Sequence, residues 1–199
     1  MRRFCLLASF VSCVSLLSAA DGPRVAGPVY NPKGELIRPS DYREWIFLTS
    51  GMGMTYGPNG PAEGQDPAFD NVFVNPAAYR EFVKTGTWPD GTIFILEIRK
   101  GFANASINRG GRTQTALVAI EAAVKDETHF PEKWAYFHFA PKNGEPGKEA
   151  KAFPKTAACF SCHTEHGAVD NTFVQFYPTL LEIAKAKNTV KPTKEAPAK

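Results

Sequence analysis

The stretch Thr92-Ile93-Phe94-Ile95-Leu96-Glu97-Ile98-Arg99 decides the fold class. Five of its eight residues are β-branched or aromatic, and Pro89-Asp90-Gly91 forms a turn just before it. Such a run, bounded by turn residues, reads as a buried strand. Working outward, residues 101–111 form a polar hairpin loop and residues 113–124 a second strand, although Ala119–Ala123 leaves a helix open there. Residues 134–140 read as a further strand, residues 141–155 as a polar excursion, and residues 71–75 as an upstream strand. This is too much strand pattern for a helix bundle.

Helices flank this β-rich centre. Asn75-Pro76 caps a helix over residues 76–85, because proline is tolerated at the first helical position. Tyr79, Phe82 and Val83 share its apolar face and Gly86 ends it. Pro39-Ser40-Asp41 opens a short helical turn with Tyr42, Trp45 and Ile46 as its apolar face. Residues 21–39 form an extended lead-in, and residues 51–67, with five Gly and three Pro, form a loop. Near the C-terminus, Phe173, Phe176, Tyr177, Leu180, Leu181 and Ala184 recur at helical spacing, with Asp170 as N-cap and Pro178 as an early break or kink. No internal repeat is present.

The two ends differ from this body. Arg2 and Arg3, an apolar run over residues 4–17, and Ser18-Ala19-Ala20 make residues 1–20 an export signal. The run is short for a membrane span, which needs about 20 apolar residues. Residues 184–199 hold five Lys, two Pro and one Glu, the composition of a solvated, basic, disordered tail. Residues 21–183 are then one slightly acidic domain. The whole chain of 199 residues carries only +3, with no basic stripe carrying interleaved aromatics, which argues against a nucleic-acid partner. Its 43% apolar and 22% charged residues exclude a wholly disordered chain and a multi-span membrane protein.

Removing the signal takes Cys5 and Cys13 with it and leaves Cys159 and Cys162. These stand in Cys159-Phe-Ser-Cys162-His163, the attachment pattern of c-type haem. Each thiol bonds one vinyl group of the porphyrin, and the next residue brings an imidazole beneath the iron. Zinc would need further ligands. A redox pair would be expected at a helix start in a βαβ unit, near the beginning of a domain. The reading is one covalent haem c, with His163 as the metal's proximal ligand. Met52, Met54, His129 and His138 are the candidates for a sixth ligand, and His166 is too close to His163 to reach the opposite haem face. The expectation is a five-coordinate iron.

Taken in order, several motifs resemble the cytochrome P460 / cytochrome c′-β family. They are Gly34-Glu35-Leu36 with Tyr42-Arg43-Glu44-Trp45, Tyr79 followed by Lys84-Thr85-Gly86, and Asp90-Gly91-Thr92 opening a strand. The last is Cys159 to His163 followed by Asp170, Phe173, Gln175, Phe176, Tyr177 and Pro178. The resemblance implies an α+β fold, mainly antiparallel sheet with packed helices, a haem near the C-terminal helix, and a homodimer. Within the family, P460 enzymes oxidise hydroxylamine and carry a lysine cross-linked to the porphyrin, whereas the c′-β branch lacks it and binds NO and CO.

Leu96 stands where that lysine would fall, and Lys100 is the nearest alternative. If Leu96 faces the haem, Phe94 and Ile98 share its face by strand alternation. The pocket is then apolar, with no general base on this strand. Arg109 and Arg112 could pair with haem propionates or lie on a solvated loop. The resulting expectation is an exported, periplasmic haem c protein whose open iron binds NO, CO or a similar small ligand. Its rivals are a hydroxylamine oxidoreductase that passes electrons to a soluble redox partner, and a simple electron carrier.

Overall fold

The computed structural model describes residues 26–55 and 66–191. Its strands are β1 (Leu36–Ile37), β2 (Ile46–Met52), β3 (Ala68–Val74), β4 (Ile93–Phe102), β5 (Thr113–Lys125) and β6 (Trp134–His138). Three two-residue strands follow: β7 (Pro141–Lys142), β8 (Glu145–Pro146) and β9 (Glu149–Ala150). The helices are α1 (Pro76–Thr85), α2 (Ala158–His166) and α3 (Pro178–Ala186), with single 3₁₀ turns at Tyr42–Glu44 and Val174–Phe176. Strands β2 to β6 form one antiparallel sheet in chain order, while β1 pairs with β9 and β7 with β8. The architecture is α+β.

Strand β4 lies at the centre of that sheet and is buried on both faces, which is why it reads as a continuous apolar run. Alternation sends Phe94 to one side, into a core with Val74, Phe82, Trp88, Trp134 and Leu180. It sends Ile93 and Ile95 to the other side, with Leu36, Tyr42, Ile120, Val124 and Phe137. Helix α1 covers the first side. Pro76 is its first residue, and Gly86 ends it at φ 77°, a left-handed backbone that costs glycine little. Ala78 and Phe82 are its buried positions, whereas Val83 is exposed, so the inward stripe is rotated from the expected one.

Other expectations need correction. Residues 51 and 52 complete β2 rather than opening a loop. Of the expected helical turn only Tyr42–Glu44 forms, and Ile46 already begins β2. Residues 113–125 are strand throughout. Pro178 kinks nothing: it is the first residue of α3, with a 3₁₀ turn before it. Asp170 caps no helix and instead takes a left-handed turn at φ 47°. Helix α3 runs through residue 184, where the tail was expected to begin, and the chain stays attached beyond it. Thr189 Oγ1 donates to the Gly86 carbonyl at 2.7 Å, and Lys191 N donates to the Ala168 carbonyl at 2.9 Å. The expected export signal and residues 192–199 lie outside the described residues.

On the sheet face away from α1, one charge is buried with partners. Glu97, 1% exposed, accepts from Tyr42 Oη at 2.5 Å, from Arg99 Nε at 2.6 Å, and from Arg43. Burial pushes its carboxyl pKa up, but the bonds from Arg99, Tyr42 and Arg43 outweigh that and hold it below the ordinary 4.5. As pH falls, the unfolded chain therefore takes up this proton first. The stabilisation is full above the ordinary value and is lost as pH drops through the folded one. Glu97→Gln should cost about 2–3 kcal/mol at pH 7, because it leaves arginines around a neutral amide. Urea denaturation should show that difference shrinking at pH 3.

Candidate haem site

Helix α2 carries Cys159, Cys162 and His163 at positions i, i+3 and i+4, which places all three on one face. The chain then turns sharply at Gly167, whose N–H donates to the His163 carbonyl at 3.0 Å. A Cβ on Gly167 would lie 2.6 Å from that carbonyl oxygen and 2.7 Å from Thr172 N, so no larger residue fits without a shift. The close turn brings residues 169–172 back beside α2, where Val169 and Thr172 pair backbone to backbone.

This return segment orients the histidine. His163 Nδ1 donates to the Asn171 carbonyl at 2.8 Å. A carbonyl only accepts, so Nδ1 holds the proton and Nε2 keeps its lone pair. Burial lowers the imidazole pKa, with the Asn171 bond opposing, so the neutral ring is favoured. Tyr136 and Phe173 flank the ring, each with a centroid 4.4 Å away. The Tyr136 phenol is pushed up by burial, with Cys159, Asp170 and Cys162 adding to it, and stays protonated.

The turn is itself pinned from the core. Asp170 Oδ2 accepts from Lys125 Nζ at 2.6 Å, and Oδ1 accepts from Trp134 Nε1 at 3.3 Å. Lys125 Nζ also donates to the Trp88 carbonyl at 2.8 Å, and Trp88 Nε1 donates to Thr172 Oγ1 at 2.8 Å. The consecutive left-handed residues Asp170 and Asn171, at φ 47° and 60°, are thus held by side chains of two strands and a loop.

Above α2 lies a cavity of about 550 Å³, walled by the sheet. Cys159, Cys162, His163, Phe94 and Leu96 all line it. A thiol pair, a histidine with a free lone pair and a mostly apolar hollow suit a haem. The cysteines are not joined by a disulfide, and burial raises the Cys159 thiol. That is the opposite of the depressed pKa a redox pair needs. Among the described residues, no three His, Cys, Asp or Glu side chains form a metal-binding group, so a zinc reading finds no ligand set. A family model, cytochrome P460, matches residues 39–174. The chain belongs to the cytochrome P460 family. It is therefore a haem protein of that family. No curated protein matches it.

Other candidates fall in different places in this cytochrome P460 member. Met54 lines the cavity, whereas Met52 is exposed. His129 is tied to Asp126 at 2.8 Å on the surface. His138 lies beside the site, its Nδ1 3.2 Å from Glu121 Oε1. Ile98, His166, Lys100, Arg109 and Arg112 are not among the lining residues, and Arg112 pairs with Asp66 at 2.6 Å. Two acidic lining residues were missed. Asp70 from β3 and Glu121 from β5 bring carboxylates to a wall expected to be apolar. The sheet register places Glu121 opposite Leu96 and Asp70 opposite Ile98.

Lys125→Met keeps the length of the side chain but removes both bonds of its ammonium. Stability should fall by about 3 kcal/mol, since Asp170 is left without its cation. Urea denaturation of the purified protein measures this, and the return segment should become the first region to exchange its amide hydrogens.

Proposed function

We propose that this protein is exported to the periplasm as a haem c protein with an open iron site for small uncharged ligands, NO and CO among them. Cys159 and Cys162 anchor the porphyrin through its vinyl groups. His163 Nε2 ligates the iron, and Asn171 holds the ring in that tautomer. When bound, the haem would supply an iron able to take up a small ligand. Phe94 and Leu96 give the cavity apolar surface on the wall formed by the sheet. The observation that carries the reading is Leu96 in the wall shared with Cys159 and His163, where the enzymes of the family are expected to present lysine.

A second reading, oxidation of hydroxylamine or a related nitrogen compound, draws support from Asp70 and Glu121, which could receive protons from such a substrate. Lys100, exposed and outside the lining, gives no replacement for the missing lysine.

The test uses protein made in a host that matures c-type haem. Haem should stay with the chain through denaturing electrophoresis and be lost from Cys159→Ala/Cys162→Ala. Intact mass should begin at Asp21 and include one haem. The reduced protein should bind one CO per chain with a spectral shift. A six-coordinate spectrum unmoved by CO, but responsive after Met54→Ala, would replace the open-site reading with an electron carrier.

A further inference from the structure

A helix leaves its last four carbonyls without internal partners. In α2 these belong to residues 163–166, the segment that begins with His163. Three of them are taken. The His163 carbonyl accepts from Gly167 N–H at 3.0 Å, the His166 carbonyl from Gln175 Nε2 at 2.8 Å, and the Thr164 carbonyl from Lys191 Nζ at 2.8 Å. Ala168 follows in the turn, fully buried, and the same two partners hold both of its backbone groups. Its N–H donates to Gln175 Oε1 at 3.2 Å, and its carbonyl accepts from Lys191 N–H at 2.9 Å. Gln175 and Lys191 both lie beyond residue 174, where the match to the family model ends.

A short strap after α3 brings Lys191 to this place. Asn188 reverses the chain in a left-handed conformation, at φ 57°, and Thr189 N–H donates to the Ala184 carbonyl at 3.0 Å. Thr189 Oγ1 is fixed on the Gly86 carbonyl at the end of α1, and Val190 packs against the core that contains Trp88 and Phe94. Gly86 makes room for the strap: a Cβ there would lie 2.7 Å from Lys187 Cβ and 2.9 Å from Thr189 Oγ1. Residues 189–191 thus bridge the ends of all three helices. The helix dipole also favours a cation at the C-terminal end of α2.

We propose that Gln175 and Lys191 are positioning residues for His163, and that the C-terminal strap thereby tunes the histidine as an iron ligand. Lys125 and Trp134 grip the turn at Asp170, on its far side. Gln175 and Lys191 grip it at residues 164–168, on the near side. Held at both ends, the turn keeps the Asn171 carbonyl on His163 Nδ1. An acceptor on one ring N–H makes the other nitrogen a stronger donor to a metal, so a loosened turn means a weaker ligand. The inference rests on His163 ligating the iron, as proposed above, and adds what sets the strength of that bond.

Three measurements on the holoprotein test it: the iron–histidine stretching band of the reduced form by resonance Raman, the midpoint potential, and thermal melting. Lys191→Met and a chain ending at Asn188 should both move the band to lower frequency. Both should also raise the potential, because a weaker donor stabilises oxidised iron less. Lys191→Met removes one exposed ammonium and serves as the folded variant if the shortened chain does not fold. Lys191→Arg keeps a cation for the Thr164 carbonyl and should return both values toward the parent's. A chain ending at Thr193 keeps the strap and should match the full chain. A lower melting temperature with band and potential unchanged overturns the proposal. If the reduced parent lacks the band because a sixth ligand is bound, the open site is overturned, while a potential raised by Lys191→Met still supports the positioning role. A chain that carries no haem overturns both.

Discussion

The bond from His163 Nδ1 to the Asn171 carbonyl is the constraint on which the rest of the site depends. It makes Nε2 the lone-pair atom of a ring that lines the cavity. Bringing that carbonyl into place requires the chain to double back through Gly167 and then take two left-handed residues that are not glycine. Such conformations cost about 1 kcal/mol or more each and persist only where the surroundings fix them. Here Lys125, Trp134 and Trp88 do so, each from the framework of the fold rather than from the motif. The orientation of one imidazole is therefore a property of the packed core.

The same strand serves two environments. On β4, Phe94 and Leu96 look into the cavity while Glu97 is locked between arginines on the other side. Period-two alternation makes this separation automatic, and a one-residue slip would exchange the two sets. Burial on both faces fixes the register, because either slip would put Glu97 against the cavity side and an apolar residue among Arg43 and Arg99.

Local signals in the sequence located what local physics governs. Asn75-Pro76 and Gly86 bracket α1 at the ends where it starts and stops, and β4 follows from its branched and aromatic run. The spacing of Cys159, Cys162 and His163 places them on one helical face without reference to the rest of the chain. Strand β2 escaped notice because it is an edge strand whose Phe47 and Met52 point outward, so its hydrophobic alternation does not report burial. Asp170 resembles an N-cap only while its partner, Lys125, is unknown, and that partner lies 45 residues away. Asp70 and Glu121 were hidden for the same reason. Their approach to Leu96 depends on cross-strand register, which no single strand encodes.

The two treatments of buried acid within one sheet bear on purpose. Glu97 shows that this chain can surround a buried carboxylate with donors when the charge is structural. Asp70, on β3 opposite Ile98 and also buried, receives none from the side chains of the described residues. Among the described residues the Asp70 side chain bonds no neighbouring strand, while its backbone sits in register with Gly51 on β2 and Ile98 on β4. Leu96 lines the same wall, so the cavity combines apolar surface with two carboxylates, and cross-strand register rather than either strand alone sets that combination.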